Sequence, residues 1–205
     1  MNDRPETESF LKFILSGGRK KEEGIIMKSS SVLRSAVLLG ITLLTGGCLS
    51  GKSTAEIPAV SGFELPRYLG VWYEIARLPH RFERNMDRVT AEYTANPDGT
   101  VKVVNSGERD GERRKAEGIA RFKGSSDLGE LEVSFFRPFY GDYRIIRLAP
   151  DYRYAVVTSS TKEYLWILAR TPQLPEEEQK ELVEYAKSLG FAVEKLEFPI
   201  QDPAR

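Results

Sequence analysis

Among its 205 residues the chain holds one cysteine, Cys48, and one histidine, His80, so the side chains that most often do nucleophilic or metal chemistry are nearly absent. A lone Cys cannot close an intrachain disulfide, which leaves it a buried small hydrophobe, an intermolecular link, a catalytic thiol or a site of modification. Metal or haem ligation normally draws on several His or Cys side chains, whereas His80 stands alone in a segment that reads as a loop. No glycine-rich phosphate loop and no Gly-x-Ser-x-Gly elbow occurs. The remaining candidate is Glu74, a carboxyl on the inward side of an alternating segment. Burial there raises a carboxyl's pKa and fits it either to a ligand amine or hydroxyl or to a structural hydrogen bond. No catalytic residue, metal or cofactor is expected.

The neighbours of Cys48 choose among its roles. Ser35 to Gly47 is an apolar run of about thirteen residues, the length of a signal-peptide core and well short of the ~20 of a spanning helix. Lys28 and Arg34 form a basic region before it, and Thr45-Gly46-Gly47 supplies small residues for cleavage. This resembles the lipobox of bacterial lipoproteins, in which the Cys becomes the acylated first residue of the mature chain. Thr45 stands where the box usually has Leu, and Leu44 is one place earlier. The resemblance implies a lipid anchor in the cell envelope. Leu49 in place of Asp implies an outer membrane, facing the periplasm, where the source has one. Residues 1–26, with Asp3, Glu6 and Glu8, fit no signal and are expected to lie upstream of a true start at Met27. The expected organisation is then a signal peptide over 27–47, a flexible tether over 48–62 and one folded domain over 63–205.

Thirty Lys and Arg balance thirty Asp and Glu without a basic block, so charge offers no case for nucleic acid binding. From Val71 to Leu168 short period-two stretches alternate with turn signals, as in an all-β barrel or sandwich. Eight strands are predicted, over 71–79, 88–95, 100–107, 113–123, 129–136, 142–149, 152–159 and 163–169. Asn96-Pro97-Asp98-Gly99 reads as a strong hairpin turn, and Phe139-Tyr140-Gly141-Asp142 as a weaker one. The period then changes. Pro175, three glutamates, Leu182, Ala186 and Leu189, and a stop at Gly190 predict one helix of about fourteen residues. An eight-stranded antiparallel meander with a trailing helix closes most naturally into an up-and-down barrel, because closure removes exposed edges.

Three motifs in order add a resemblance. Gly70-Val71-Trp72, Asp151-Tyr152 before the seventh strand and Arg170 after the eighth resemble the lipocalin signature, with Pro150 where a Thr is usual. His80 to Arg84, Val133 to Gly141 and Tyr164 to Pro172 are similar to the bacterial outer-membrane lipoprotein lipocalins. The resemblance implies an all-β calyx with one helix packed outside, a base at which Arg170 lies over Trp72, and lipid binding inside. In a meander, alternate loops fall at opposite ends, and this brings all three motifs to one end.

Period two from Trp72 and Arg170 places Glu74 and Ala76 inward on the first strand, and Tyr164, Trp166 and Leu168 inward on the eighth. The same alternation turns Ala116, Gly118, Ala120 and Phe122 inward on the fourth strand, and Leu131, Val133 and Phe135 inward on the fifth. Small residues facing large ones point to a cavity in preference to a filled core. At the opposite end the loops should gather His80, Arg81, Arg84, Phe139 and Tyr140, a cationic and aromatic rim suited to the head of an anionic amphiphile. The expected function is lipid binding, with fatty acids or lysophospholipids stored or transported near the membrane. The expected partners are that ligand and, through Cys48, the bilayer, with no nucleic acid; a homodimer is left open. The alternative is a scaffold or protein-binding module with an occluded barrel.

Overall fold

The computed structural model describes residues 52–80 and 83–201. Eight antiparallel strands close into one barrel in sequence order: β1 (Gly70–Arg77), β2 (Asp87–Ala95), β3 (Val101–Arg109), β4 (Glu112–Phe122), β5 (Glu130–Phe136), β6 (Phe139–Leu148), β7 (Tyr154–Thr158) and β8 (Leu165–Ala169). Closure is made by β1 against β8, with Tyr73 opposite Ala169 and Arg77 opposite Trp166. Every predicted strand is present, within a few residues at its ends.

Two helices flank the barrel, α1 (Leu65–Tyr68) and α2 (Glu176–Ser188). α2 carries Glu176, Glu177 and Glu178 in its first turn, where the helix dipole favours negative charge. It buries Leu182 and Ala186 against Ile75, Ala76, Val156 and Ile167 on the outside of the barrel. The short α1 has Pro66 in its first turn, a position where proline's missing N–H is no loss.

Three sequence expectations change here. The turn between β5 and β6 falls on Arg137-Pro138, so Phe139 to Asp142 are strand residues. Where the looser alternation of Val193, Leu196 and Phe198 predicts an extended piece over Phe191 to Ile200, the chain forms a 3-10 turn, Val193–Lys195, and one bridge between Arg77 and Glu197. The flexible tether ends earlier than expected, because from Lys52 on the segment is packed along the barrel. Thr54 is fully buried, Ile57 joins the outer core, Val60 N donates to Ile145 O, and Phe63 N donates to Asp127 O. Its composition is small and polar, yet Thr54 and Ile57 each fill a site on the wall.

The end that holds the three motifs is the closed base. Trp72 has no exposed surface, and its Nε1 donates to Tyr68 O at 2.8 Å. Arg170 Cζ lies 4.0 Å from the Trp72 ring centroid, while its Nη atoms donate to Val71 O and Arg67 O. Gly70, beside Arg170, has a φ of +92°, a backbone conformation that side chains with a Cβ rarely adopt. Asp151 accepts from Arg153 N and Nη1 at the same end, and the Tyr152 hydroxyl accepts from Glu64 N. Arg170→Ala should lower stability by about 1–2 kcal/mol, the worth of a shielded cation–π contact. An unchanged denaturation midpoint would show that the contact contributes nothing.

Candidate functional site

The barrel encloses a cavity of about 590 Å³, open at the end opposite the base. That size lies within the range of small-molecule sites. Strand alternation supplies its walls: Val89, Ala91 and Tyr93 from β2, Val101 and Val103 from β3, Ala120 from β4, Leu131, Val133 and Phe135 from β5, Val157 from β7, Trp166 and Leu168 from β8. The floor is polar. Tyr68 Oη and Tyr93 Oη each lie within hydrogen-bond distance of Tyr143 Oη, at 2.7 and 2.9 Å. Burial, more than any other influence, pushes all three phenols above the ordinary tyrosine pKa, so they remain neutral and serve as donors and acceptors.

Of the residues expected to line the calyx, Ala120, Leu131, Val133, Phe135, Tyr164 and Trp166 do so, as does Glu74. Four others do not. Ala76 is displaced by a β-bulge between Glu74 and Ala76, which turns Ile75 and Ala76 together toward α2. Gly118 lies under the Phe135 ring, where a Cβ would stand 2.8 Å from Phe135 Cδ1. It gives up its own access so that Phe135 can reach the lumen. Ala116 pairs with Asn105, and it is Asn105 whose longer side chain reaches the cavity. Phe122 packs below the floor against Phe63, with ring centroids 6.1 Å apart.

The mouth also differs from expectation. His80 and Tyr140 line the cavity, but Arg84 is exposed and lies outside the lining. Arg88 pairs with Glu108 at 2.9 Å. Arg81 and Cys48 lie outside the described residues. The described lining therefore has no cationic rim. Instead a buried cluster occupies the wall beneath the loop between β1 and β2. Glu74 is 3% exposed and accepts from Arg77 Nη1 at 2.6 Å. Arg77 is itself buried and also donates to Glu197 Oε2 and Met86 O. Glu83 Oε2 stands 2.8 Å from His80 Nε2 and accepts from Trp166 Nε1 at 3.2 Å.

The two carboxyls in this cluster are driven apart. Burial first, then the nearby charge of Glu83, pushes Glu74 well above the usual carboxylate range, against the pull of Arg77. Burial would raise Glu83 as well, but the hydrogen bond and charge of His80, with Trp166 and Arg77, hold it down to about 2. The wall thus presents two neighbouring carboxyls of unlike proton affinity, Glu74 raised and Glu83 lowered from the ordinary range. Sequence reasoning missed Glu83, because Arg81, Phe82 and Arg84 make its surroundings read as a solvated loop. It also missed Tyr93 and Tyr143, which alternation alone could have placed inward.

A profile of the lipocalin-like domain family matches residues 63–201. The chain is 43% identical to the outer membrane lipoprotein Blc of Citrobacter freundii over 155 residues, 75% of this chain and 88% of that protein. It is 43% identical to outer membrane lipoprotein Blc of Vibrio cholerae over 167 residues, 80% of this chain and 96% of the relative. The temperature-induced lipocalin-1 of Arabidopsis thaliana is 41% identical over 150 residues, 69% of this chain and 81% of its own. Among solved structures, insecticyanin of Manduca sexta superposes with a TM-score of 0.60 at 19% identity, covering 75% of this chain and 88% of its own. That last likeness is one of fold.

Proposed function

The chain belongs to the lipocalin family, and we propose that it is a membrane-anchored member that binds fatty acids or lysophospholipids in its calyx and stores or transports them in cell-envelope maintenance. The observation that carries this reading is the apolar cavity of about 590 Å³ open at one end. A barrel serving only as a scaffold has no reason to keep such a volume empty, since close packing of the same side chains would be more stable. The names of the bacterial relatives support an outer-membrane lipoprotein, with Cys48 as the acylated residue. Binding is non-enzymatic in this reading: the cavity wall offers hydrogen bonds and apolar area, and Cys48 is at the lipid site.

The wall cluster refines the ligand. Glu83, held ionised in the wall beneath the loop between β1 and β2, repels a free carboxylate brought beside it. A lysophospholipid, whose bulkier head stays outside in any case, loses nothing. Extraction of the purified protein followed by lipid mass spectrometry is the direct test. Single-chain lipid in stoichiometric amount is expected, and a lipid-free protein that also fails to take up added lysophospholipid would refute the reading. For the anchor, Cys48→Ser should move the protein from the membrane to the soluble fraction, because acylation through more than one chain is what sustains stable attachment. Equal membrane association of both forms would rule the anchor out.

A further inference from the structure

We infer that the open mouth of the calyx faces and touches the phospholipid bilayer, so that a single-chain lipid passes between leaflet and cavity without crossing water. This rests on the reading that Cys48 is acylated. The length of chain between that residue and the barrel fixes the geometry. Lys52 O accepts from Lys162 N at 2.8 Å, Ser53 bridges Thr161, and Thr54 N donates to Ser160 O at 3.1 Å. All three partners belong to the loop between β7 and β8, which is at the mouth, where Ser160 and Thr161 line the cavity. Arg144 Nη1 locks the segment further by donating to Thr54 O and Ile57 O.

Cys48 precedes Lys52 by four residues, a covalent reach of at most roughly 14 Å. The wall is longer. β4, with 11 residues, runs for roughly 35 Å at strand rise, and tilt still leaves mouth and base separated by roughly 25 Å. A lipid on Cys48 can therefore bring the mouth to the bilayer surface, and it cannot bring the base there.

The surface at the mouth fits the same neighbour. Large exposed apolar side chains among the described residues are Val71, Phe136, Phe198 and Ile200. Val71 is at the base. Phe136 ends β5 at the mouth, and Phe198 and Ile200 follow Glu197 in the terminal segment that Arg77 N and Arg88 N hold there. Aromatic and aliphatic side chains at 41%, 51% and 65% exposure are unfavourable in water and favourable at a headgroup boundary. Phe136 stacks on Phe139, with centroids 6.4 Å apart, and Phe139 lines the cavity. An apolar path thus continues from rim to lumen. Charge at this end is mixed, Arg113 and Arg137 beside Asp110 and Glu112, so the leash and the apolar rim carry the assignment.

The test uses the full acylated chain in vesicles of phosphatidylethanolamine and phosphatidylglycerol. The thioether on Cys48 leaves no free thiol, so one introduced cysteine can be labelled with a fluorophore. Glu112→Cys reports from the mouth and Ser125→Cys from the base; both positions are exposed. A headgroup-nitroxide lipid should quench the first dye several-fold more than the second. A flexible spacer of about twenty residues inserted after Gly51, which spans roughly 25 Å, should shrink that contrast while vesicle binding persists. Equal quenching at the two positions in vesicle-bound protein, or a contrast that the spacer leaves unchanged, would overturn the orientation and leave the anchor standing. Failure of the acylated wild-type chain to bind vesicles would remove both.

Discussion

Replacement of Arg77 by Ala should lower the stability of the barrel by about 3–5 kcal/mol, the cost of removing one partner from a buried charged cluster, and the loss should grow as pH rises. Arg77 is 2% exposed and is the shared donor to Glu74 Oε1, Glu197 Oε2 and Met86 O. Without it Glu74 faces Glu83 with no cation between them and must hold a proton to remain buried. Glu74 already has a folded-state pKa above the ordinary 4.5, so between those two values the folded chain holds a proton that the unfolded chain has released. Its contribution therefore falls as pH rises above about 4.5, and loss of Arg77 pushes the upper limit of that window higher. Glu83 behaves in the opposite sense. Its pKa is held down to about 2, so its stabilisation is present above 4.5 and disappears as pH falls toward 2. Urea denaturation of wild type, Arg77→Ala and Arg77→Lys across the mildly acidic to mildly alkaline range checks this. Lys retains the charge without the forked geometry and should recover only part of the loss. A small, pH-independent cost of Arg77→Ala would show that the cluster is solvated.

The same cluster marks how far the sequence could be read. Eight strands were legible because each alternates in period two and ends in turn residues, and the base was legible because parity of the loops sends Trp72, Tyr152 and Arg170 to one end. A β-bulge leaves only a faint mark. In Glu74-Ile75-Ala76-Arg77 two apolar residues stand side by side, a single break in the alternation, and the bulge puts Ile75 and Ala76 on one face and brings Arg77 to Glu74. Gly118 and Phe122 failed for another reason: alternation assigns a face, and it does not say whether a neighbour's ring or a floor intervenes. At the rim, of the described residues expected there, only Arg84 lies away from the cavity lining, while His80 and Tyr140 belong to it. Glu83, written among arginines, turns inward, and Arg84 turns out. The packed course of residues 52–62 was hidden by small, polar composition that normally signals a leash, although it is this packing that sets where the leash begins.

Ala120→Trp should abolish lipid binding while the barrel stays folded. Ala120 is 4% exposed, faces the cavity from β4, and is paired with Val101 on one side and Val133 on the other, both of them lining residues. An indole in its place projects into the lumen, where the small side chain leaves room for ligand. Burying about fourteen methylenes of a single-chain lipid at ~0.8 kcal/mol each gives ~11 kcal/mol, and ordering the ligand reduces this to roughly the 8 kcal/mol of a micromolar complex. Excluding half of the chain from the cavity removes ~5 kcal/mol, a loss of more than a thousandfold. Overpacking is costly in a filled core, at about 1–3 kcal/mol, and less so here because the added ring enters open volume. Calorimetric titration with lysophospholipid below its micelle concentration reads the binding, and urea denaturation reads the fold. Ala120→Leu should fall between the two. If Ala120→Trp binds as wild type does, the ligand is held on the outer surface, and the calyx is a scaffold after all.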